Sequence, residues 1–127
     1  MNRKNISSGG KWEDIVGYSR AVRTGNMIFV AGTTSQSDNS IVGINDPYTQ
    51  SIYILKKIEA AIKEAGGQLK DIVSTRIFVT NISNREEIGR AHGEFFKDIK
   101  PVATMVEVSS LINPGLLVEL EAIAMVQ

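Results

Sequence analysis

The sequence predicts an α+β protein, an α/β sandwich in which a mixed β-sheet carries two helices on one face. Two observations support this fold class. Segments rich in alternating or β-branched apolar residues recur along the whole chain, and two segments with helical periodicity separate them. Because crossover connections between parallel strands are right-handed, both helices should cover the same face of the sheet. A length of 127 residues is typical of one domain, which we predict to span residues 1–127.

The N-terminal third predicts an edge strand followed by a hairpin. Residues 4–8 can form the edge strand, and residues 18–23 and 27–32 are two short strand segments. Between them, Thr24-Gly25-Asn26 contains the Gly and Asn that supply positive φ in a tight hairpin turn. Residues 33–45 are then polar and irregular, and connections of this length are often functional or mobile.

Two amphipathic helices are predicted on either side of a further strand. Asp46-Pro47 is typical of an N-cap with proline at the first helical position, and Gly66-Gly67 predicts where this helix ends. Residues 72–80 alternate as a strand. Asn84 can then cap a second helix that continues to Lys97. Helical spacing predicts buried stripes at Ser51, Leu55, Ile58, Ile62 and Ala65 in the first helix and at Ile88, Ala91, Phe95 and Phe96 in the second.

The C-terminal stretch from Pro101 to Gln127 predicts two more strands, separated by the turn residues Asn113-Pro114-Gly115. In the last strand the even-numbered positions from Leu116 to Val126 are all apolar, whereas the odd-numbered positions include two glutamates. We therefore expect one apolar face against the helices and a second face on which carboxylates stand in apolar surroundings. The side chains expected together on that second face are Arg76, Ala103, Glu107, Glu119 and Glu121.

The second face should remain uncovered, because the two helices lie on the other side of the sheet. The large apolar side chains expected there form a patch that is bigger than a soluble monomer usually exposes. They are Ile72, Phe78, Met105, Leu117, Ile123 and Met125. We therefore predict a closed homo-oligomer whose copies pack through this face. The alternative is a monomer in which residues 33–45 fold over the sheet.

Composition argues against several classes of function. Fourteen basic residues balance fourteen acidic ones, which does not favour nucleic acid or an anionic membrane as a partner. With no cysteine and a single histidine, the chain offers no disulfide and no thiolate chemistry, and we predict no metal site. No apolar run has the length of a signal peptide or a membrane span, so we expect a cytoplasmic protein.

Short segments spread in order over nearly the whole chain carry a family resemblance: residues 18–22, 25–32, 65–67, 77–79, 95–96, 106–108 and 118–124. Together they resemble the YjgF/RidA family, whose members are often described as endoribonuclease L-PSP. The resemblance implies a chorismate-mutase-like fold, a homotrimer, and clefts between subunits that bind a small metabolite. The homotrimer agrees with the oligomer that the apolar face predicts.

The resemblance also implies an activity and a set of site residues. RidA is an enamine/imine deaminase that converts 2-imino acids to 2-keto acids and ammonia without a cofactor. Glu119 matches the family glutamate that orients the attacking water, Tyr18 matches the aromatic residue of the cleft, and Gly32 matches the glycine whose backbone approaches the ligand. The arginine that grips the substrate carboxylate is Ala103 here, and the cleft asparagine aligns with Gly89.

Two classes of function remain open. The first is a cofactor-free deaminase or related hydrolase of altered specificity, in which Glu119 directs water. The second is a non-catalytic metabolite-binding or chaperone-like trimer, which Ala103 favours. Arg76 could bind the substrate in place of the missing arginine, although pairing with the neighbouring glutamates is the simpler role. His92 stands among apolar residues at helical spacing, where we expect a hydrogen-bonded histidine and not a catalytic base.

Overall fold

The predicted α+β architecture is present in the computed structural model, which describes residues 2–127. A six-stranded mixed sheet carries two α-helices. Its strands are β1 (Arg3–Ile6), β2 (Ala21–Thr24), β3 (Met27–Thr33), β4 (Ile72–Val79), β5 (Val102–Glu107) and β6 (Val118–Met125), and its helices are α1 (Pro47–Glu64) and α2 (Arg85–Phe96). Short helical turns cover Glu13–Gly17, Leu69–Asp71 and Ile82–Asn84.

The C-terminal strand β6 lies at the centre of the sheet, which has the order β1-β2-β3-β6-β4-β5. It pairs antiparallel with both β3 and β4, and β4 pairs parallel with β5 through the α2 crossover. In a central strand, the side chains that face the helices are buried and should all be apolar. The even-numbered side chains of β6 provide it, and Val118, Leu120, Ala122 and Ala124 are all buried.

The boundaries of α1 are those that its sequence predicts. The Asp46 carboxylate accepts a hydrogen bond from the Thr49 N–H at 3.0 Å, Pro47 is the first helical residue, and Gly66 ends the turn with a φ of +90°. The whole predicted stripe of this helix is buried. In α2, Ile88, Ala91 and Phe96 are buried as predicted, whereas Phe95 is only half-buried.

The prediction that Ile72 lies on the uncovered face is wrong. The pairing of β4 with β6 shifts between Ile72 and Ser74, so Val73 is an extra residue in β4. This bulge reverses the alternation at the start of the strand. Ile72 therefore packs in the core with 2% of its surface exposed, and Val73 points outward with 46% exposed.

The prediction that Ala103, Met105 and Glu107 lie on the uncovered face is also wrong. In the parallel register, Ala103, Met105 and Glu107 pair with Thr75, Ile77 and Val79, which are buried beneath the helices. Met105 accordingly packs against the core. The physical reason is that alternation within one strand does not fix which set of side chains meets the helices. That choice depends on the register with the neighbouring strand.

We call the sheet surface opposite the helices the open face. Its apolar side chains include Val22, Met27, Phe29, Phe78, Val102, Val106, Ile123 and Met125. Phe29 keeps 43% of its surface exposed and Val106 keeps 42%. The polar connection 34–45 does not cover this face. It lies against α1 and the turn at Asn113, whose amide donates to the Gln36 side chain at 2.8 Å.

The predicted N-terminal edge strand is confirmed as β1, and the predicted hairpin is confirmed as β2 and β3, joined at Gly25 with a φ of +59°. Among residues 2–127 no helix is both long enough and apolar enough to cross a membrane.

Candidate functional site

The candidate site lies where β3 bulges away from its partner β6. The pairing of these strands shifts between Val30 and Thr33, which leaves Gly32 next to the side chain of Glu119. A methyl group on Gly32 would overlap Glu119 Oε2 and would lie 3.1 Å from its Cδ. Because glycine has no side chain, it leaves room here for the Glu119 carboxyl. A glycine within a strand often marks such a close approach to the backbone.

The carboxyl of Glu119 is in an environment that favours its protonated form. Its side chain is half-buried, and burial raises the pKa of the carboxyl above the ordinary glutamate value of 4.5. The positive charge of Arg20 opposes this change, and the negative charge of Glu121 adds to it. A carboxyl whose pKa is raised toward neutral is better suited to give and take protons at physiological pH.

Arg20 contacts the same glycine from the hairpin side. Its Nη2 donates a hydrogen bond to the Gly32 carbonyl oxygen at 3.0 Å, and its guanidinium lies 5.8 Å from the centre of the Tyr18 ring. The Nε of Arg20 is buried without a hydrogen-bond acceptor in the part of the chain that the structure describes. The sequence pattern did not predict a role for Arg20, although this residue stands two positions after Tyr18 in a segment that resembles the family.

Lys57 brings a second cation toward this region from α1. Its half-buried ammonium donates to the Thr34 carbonyl oxygen at 3.2 Å, and burial lowers the pKa of Lys57, as does the nearby charge of Arg20. Within residues 2–127, neither Arg20 nor Lys57 has a carboxylate within 4.0 Å. The sequence pattern did not predict Lys57, because this residue lies on a helix far along the chain from the hairpin.

A groove of about 380 Å³ lies on the open face beside β6, and its lining does not include Glu119, Gly32 or Arg20. Phe29 and Ile123 form apolar parts of its wall, and Arg76 and Glu121 form a polar part. Arg76 Nη1 lies 3.2 Å from Glu121 Oε1 in an ion pair that solvent reaches. Arg76 therefore pairs with a glutamate, which is the simpler role that the sequence predicts for it.

Two residues expected beside Glu119 lie elsewhere. Ala103 is an exposed residue on the helix side of β5, and β4 separates it from β6, so the prediction that Ala103 and Glu119 share one face of adjacent strands is wrong. Glu107 is on the same side as Ala103, and its carboxylate accepts the Ile82 N–H at 2.9 Å. Within the chain, the predicted residues near Glu119 are therefore Gly32, Glu121 on the same face of β6 and, through Arg20, Tyr18.

His92 is hydrogen-bonded beneath α2, as predicted. Its Nε2 lies 2.9 Å from Thr75 Oγ1, and its ring is 4.6 Å from the ring of Phe96. Burial lowers the pKa of this imidazole, which keeps it neutral at physiological pH.

The chain is similar in sequence and in structure to known proteins of one family. A family model described as endoribonuclease L-PSP matches residues 11–126. An uncharacterized protein of Streptomyces coelicolor is 33% identical over 118 residues, which cover 93% of this chain and 88% of that protein. The 3-aminoacrylate deaminase RutC of Acinetobacter baylyi is 27% identical over 125 residues, or 98% of each chain. The crystal structure of a YjgF/YER057c/UK114 family member from Mycobacterium tuberculosis has a TM-score of 0.90 at 49% identity, covering 98% of this chain and 100% of that one.

Proposed function

This chain belongs to the endoribonuclease L-PSP family, also called YjgF/RidA, and we propose that it is a cofactor-free hydrolase that deaminates a small imine or enamine. The observation that carries the proposal is the half-buried carboxyl of Glu119, which lies against Gly32 and has a pKa raised by burial. Further support comes from the similar RutC of Acinetobacter baylyi, a 3-aminoacrylate deaminase, since 3-aminoacrylate is an enamine.

Imine hydrolysis requires an acid and a base in turn, and one carboxyl can serve as both. In its protonated form Glu119 gives a proton to the imine nitrogen. The resulting carboxylate then accepts a proton from water as the water oxygen bonds to the imine carbon. In the carbinolamine that forms, Glu119 protonates the nitrogen, the C–N bond breaks, and the hydroxyl proton returns to Glu119. The net change is imine plus water to carbonyl compound plus ammonia.

We further propose that the open face joins copies of the chain into a homotrimer, with the small-molecule cleft between subunits. The exposed apolar side chains of Phe29 and Val106 support this proposal, because contact with another copy would remove them from water. Ala103 lies on the other side of the sheet from Glu119, so within such a cleft the two would meet only across subunits.

The experiment measures release of 2-keto acid from a panel of 2-imino acids that an amino-acid oxidase generates in the assay. The protein should accelerate the loss of at least one imine. Glu119→Gln should lower that rate by about 10²- to 10⁴-fold, the usual contribution of general acid–base catalysis. Glu107→Gln is the matched control, because Glu107 lies on the helix side of β5 and its amide oxygen can still accept the Ile82 N–H.

The control variant should keep the activity of the unmodified protein. Hydrolysis that proceeds equally fast with glutamine at position 119 would overturn the proposed role of Glu119. Absence of turnover over the whole panel, combined with saturable binding of a 2-keto acid, would instead support the non-catalytic metabolite-binding trimer.

A further inference from the structure

The candidate site contains an arginine, Arg20, that has no part in the proposed proton transfers. We infer that Arg20 binds the carboxylate of the substrate, so that the ligand is a small anionic imine or enamine held between Arg20 and Glu119. This inference rests on the proposed function, because it concerns the same site.

Most hydrogen-bond donors of the Arg20 guanidinium have no acceptor in the described part of the chain. A guanidinium has five N–H donors in a planar fork that matches a carboxylate. Within residues 2–127, the side chain of Arg20 makes one hydrogen bond, from Nη2 to the Gly32 carbonyl oxygen. That bond fixes the guanidinium next to Gly32 and leaves other N–H groups of its outer edge for a ligand.

Arg20 and Lys57 are two neighbouring cations without a paired carboxylate. The charge of Arg20 lowers the pKa of Lys57, and neither side chain has a carboxylate within 4.0 Å in the described part of the chain. The positive charge of Arg20 acts to lower the pKa of Glu119, but the two side chains do not form an ion pair. Two half-buried cations without a paired anion favour an anionic ligand, because a bound carboxylate supplies the missing negative charge.

Arg20 and Glu119 both contact Gly32. Arg20 donates to its carbonyl oxygen, and the carboxyl of Glu119 lies where a Cβ on this residue would be. The charged nitrogen and oxygen atoms of the two groups are more than 4.0 Å apart. In a 2-imino acid the carboxylate carbon is bonded directly to the imine carbon, and a ligand of this size can contact both groups at once. Tyr18 adds an aromatic ring beside the guanidinium, which restricts its position.

Arg76 fits this role less well. It already pairs with Glu121 at 3.2 Å on the exposed surface, so a ligand would have to compete with an internal carboxylate. Arg76 is therefore a useful control, because it is an arginine of the same protein that borders the groove without contacting Gly32.

The experiment measures binding by isothermal titration calorimetry, with pyruvate as the anionic probe and methyl pyruvate as its uncharged analogue. The unmodified protein should bind pyruvate more tightly than methyl pyruvate. Arg20→Gln should weaken pyruvate binding by about ten- to hundredfold, as expected for loss of hydrogen bonds to a charged group. It should have little effect on methyl pyruvate, whereas general damage to the site would weaken both ligands. Arg76→Gln should leave the preference for pyruvate intact.

Arg20→Lys provides a second variant in case the glutamine substitution disturbs folding. Lysine keeps the charge but cannot form the bidentate pair, so its pyruvate affinity should fall between those of the unmodified protein and Arg20→Gln. Equal pyruvate affinity in all three proteins, or no preference for pyruvate over its ester, would overturn the inference. In that case Glu119-dependent turnover would still support the proposed function. Conversely, Arg20-dependent pyruvate binding without any turnover would support the inference and refute the proposed function.

Discussion

Replacing Gly32 by alanine tests whether the position of the Glu119 carboxyl matters for the reaction. The added methyl group would overlap Oε2 and lie 3.1 Å from Cδ, closer than the roughly 3.5–4 Å of an ordinary contact between carbon atoms. The carboxyl must therefore move by about 1 Å. A displacement of that size can lower a rate by about 10²-fold, and we expect this loss in kcat/KM for imine hydrolysis.

The stability of Gly32→Ala should change little. The φ of Gly32 lies outside the left-handed region, so alanine is compatible with the backbone, and its smaller unfolded-state entropy contributes about 0.4–1 kcal/mol of stabilisation. A strained Glu119 rotamer costs about 0.5–1.5 kcal/mol, so the two effects nearly cancel. Urea denaturation measures the net change in the free energy of unfolding, and the imine-hydrolysis assay measures the change in kcat/KM.

Gly93→Ala is the matched control. Gly93 lies in α2, and a methyl group there would meet no atom within 4 Å. Helix propensity predicts a stabilisation of about 1 kcal/mol with unchanged turnover. If Gly32→Ala folded normally and hydrolysed imines at the same rate as Gly93→Ala, the placement of Glu119 against Gly32 would have no role in catalysis.

Two further predictions concern stability and assembly. Because burial lowers the pKa of His92, the folded state binds its proton less tightly than the unfolded state, so stability should fall as the pH drops below about 6.5. His92→Gln should reduce this pH dependence in urea melts at pH values of about 5 and 7.5, and an identical dependence in both proteins would contradict the assignment. Light scattering at micromolar concentration should give three times the 13.9 kDa chain mass. Phe29→Asp should dissociate the trimer and Phe29→Tyr should preserve it, whereas a monomer mass for the unmodified protein would refute the proposed interface.

The sequence predicted α1 and β6 well because their signals are local. The cap at Asp46, the proline after it and the glycine at position 66 each act within one helical turn. The faces of β4 and β5 were not predictable in this way. An extra residue at Val73 and the register of β5 against β4 are set by pairing between distant segments, and they leave no mark on the alternation itself.

The candidate site was predictable in part. The contact between Gly32 and Glu119 follows from residues that the family resemblance identifies. The contribution of Arg20 depends on how the β3 bulge turns the Gly32 carbonyl toward the hairpin, and that of Lys57 depends on the packing of α1 beside residues 34–36. Both are tertiary effects. The arginine two residues after Tyr18 could be seen in the sequence. Its hydrogen-bond partner, the Gly32 carbonyl oxygen, is 12 residues away and could not be deduced from spacing.

Comparing the titration of Glu119 with the pH dependence of catalysis tests the proposed role of this residue most directly. The carboxyl resonance of Glu119 can be followed by carbon NMR and assigned by its absence in Glu119→Gln. Its midpoint should lie above the ordinary glutamate value of 4.5, and kcat/KM should fall as the pH rises through the same midpoint, because the proton donor is then lost. A midpoint at or below 4.5, or a rate that does not change as Glu119 titrates, would contradict its role as the acid and base of the reaction.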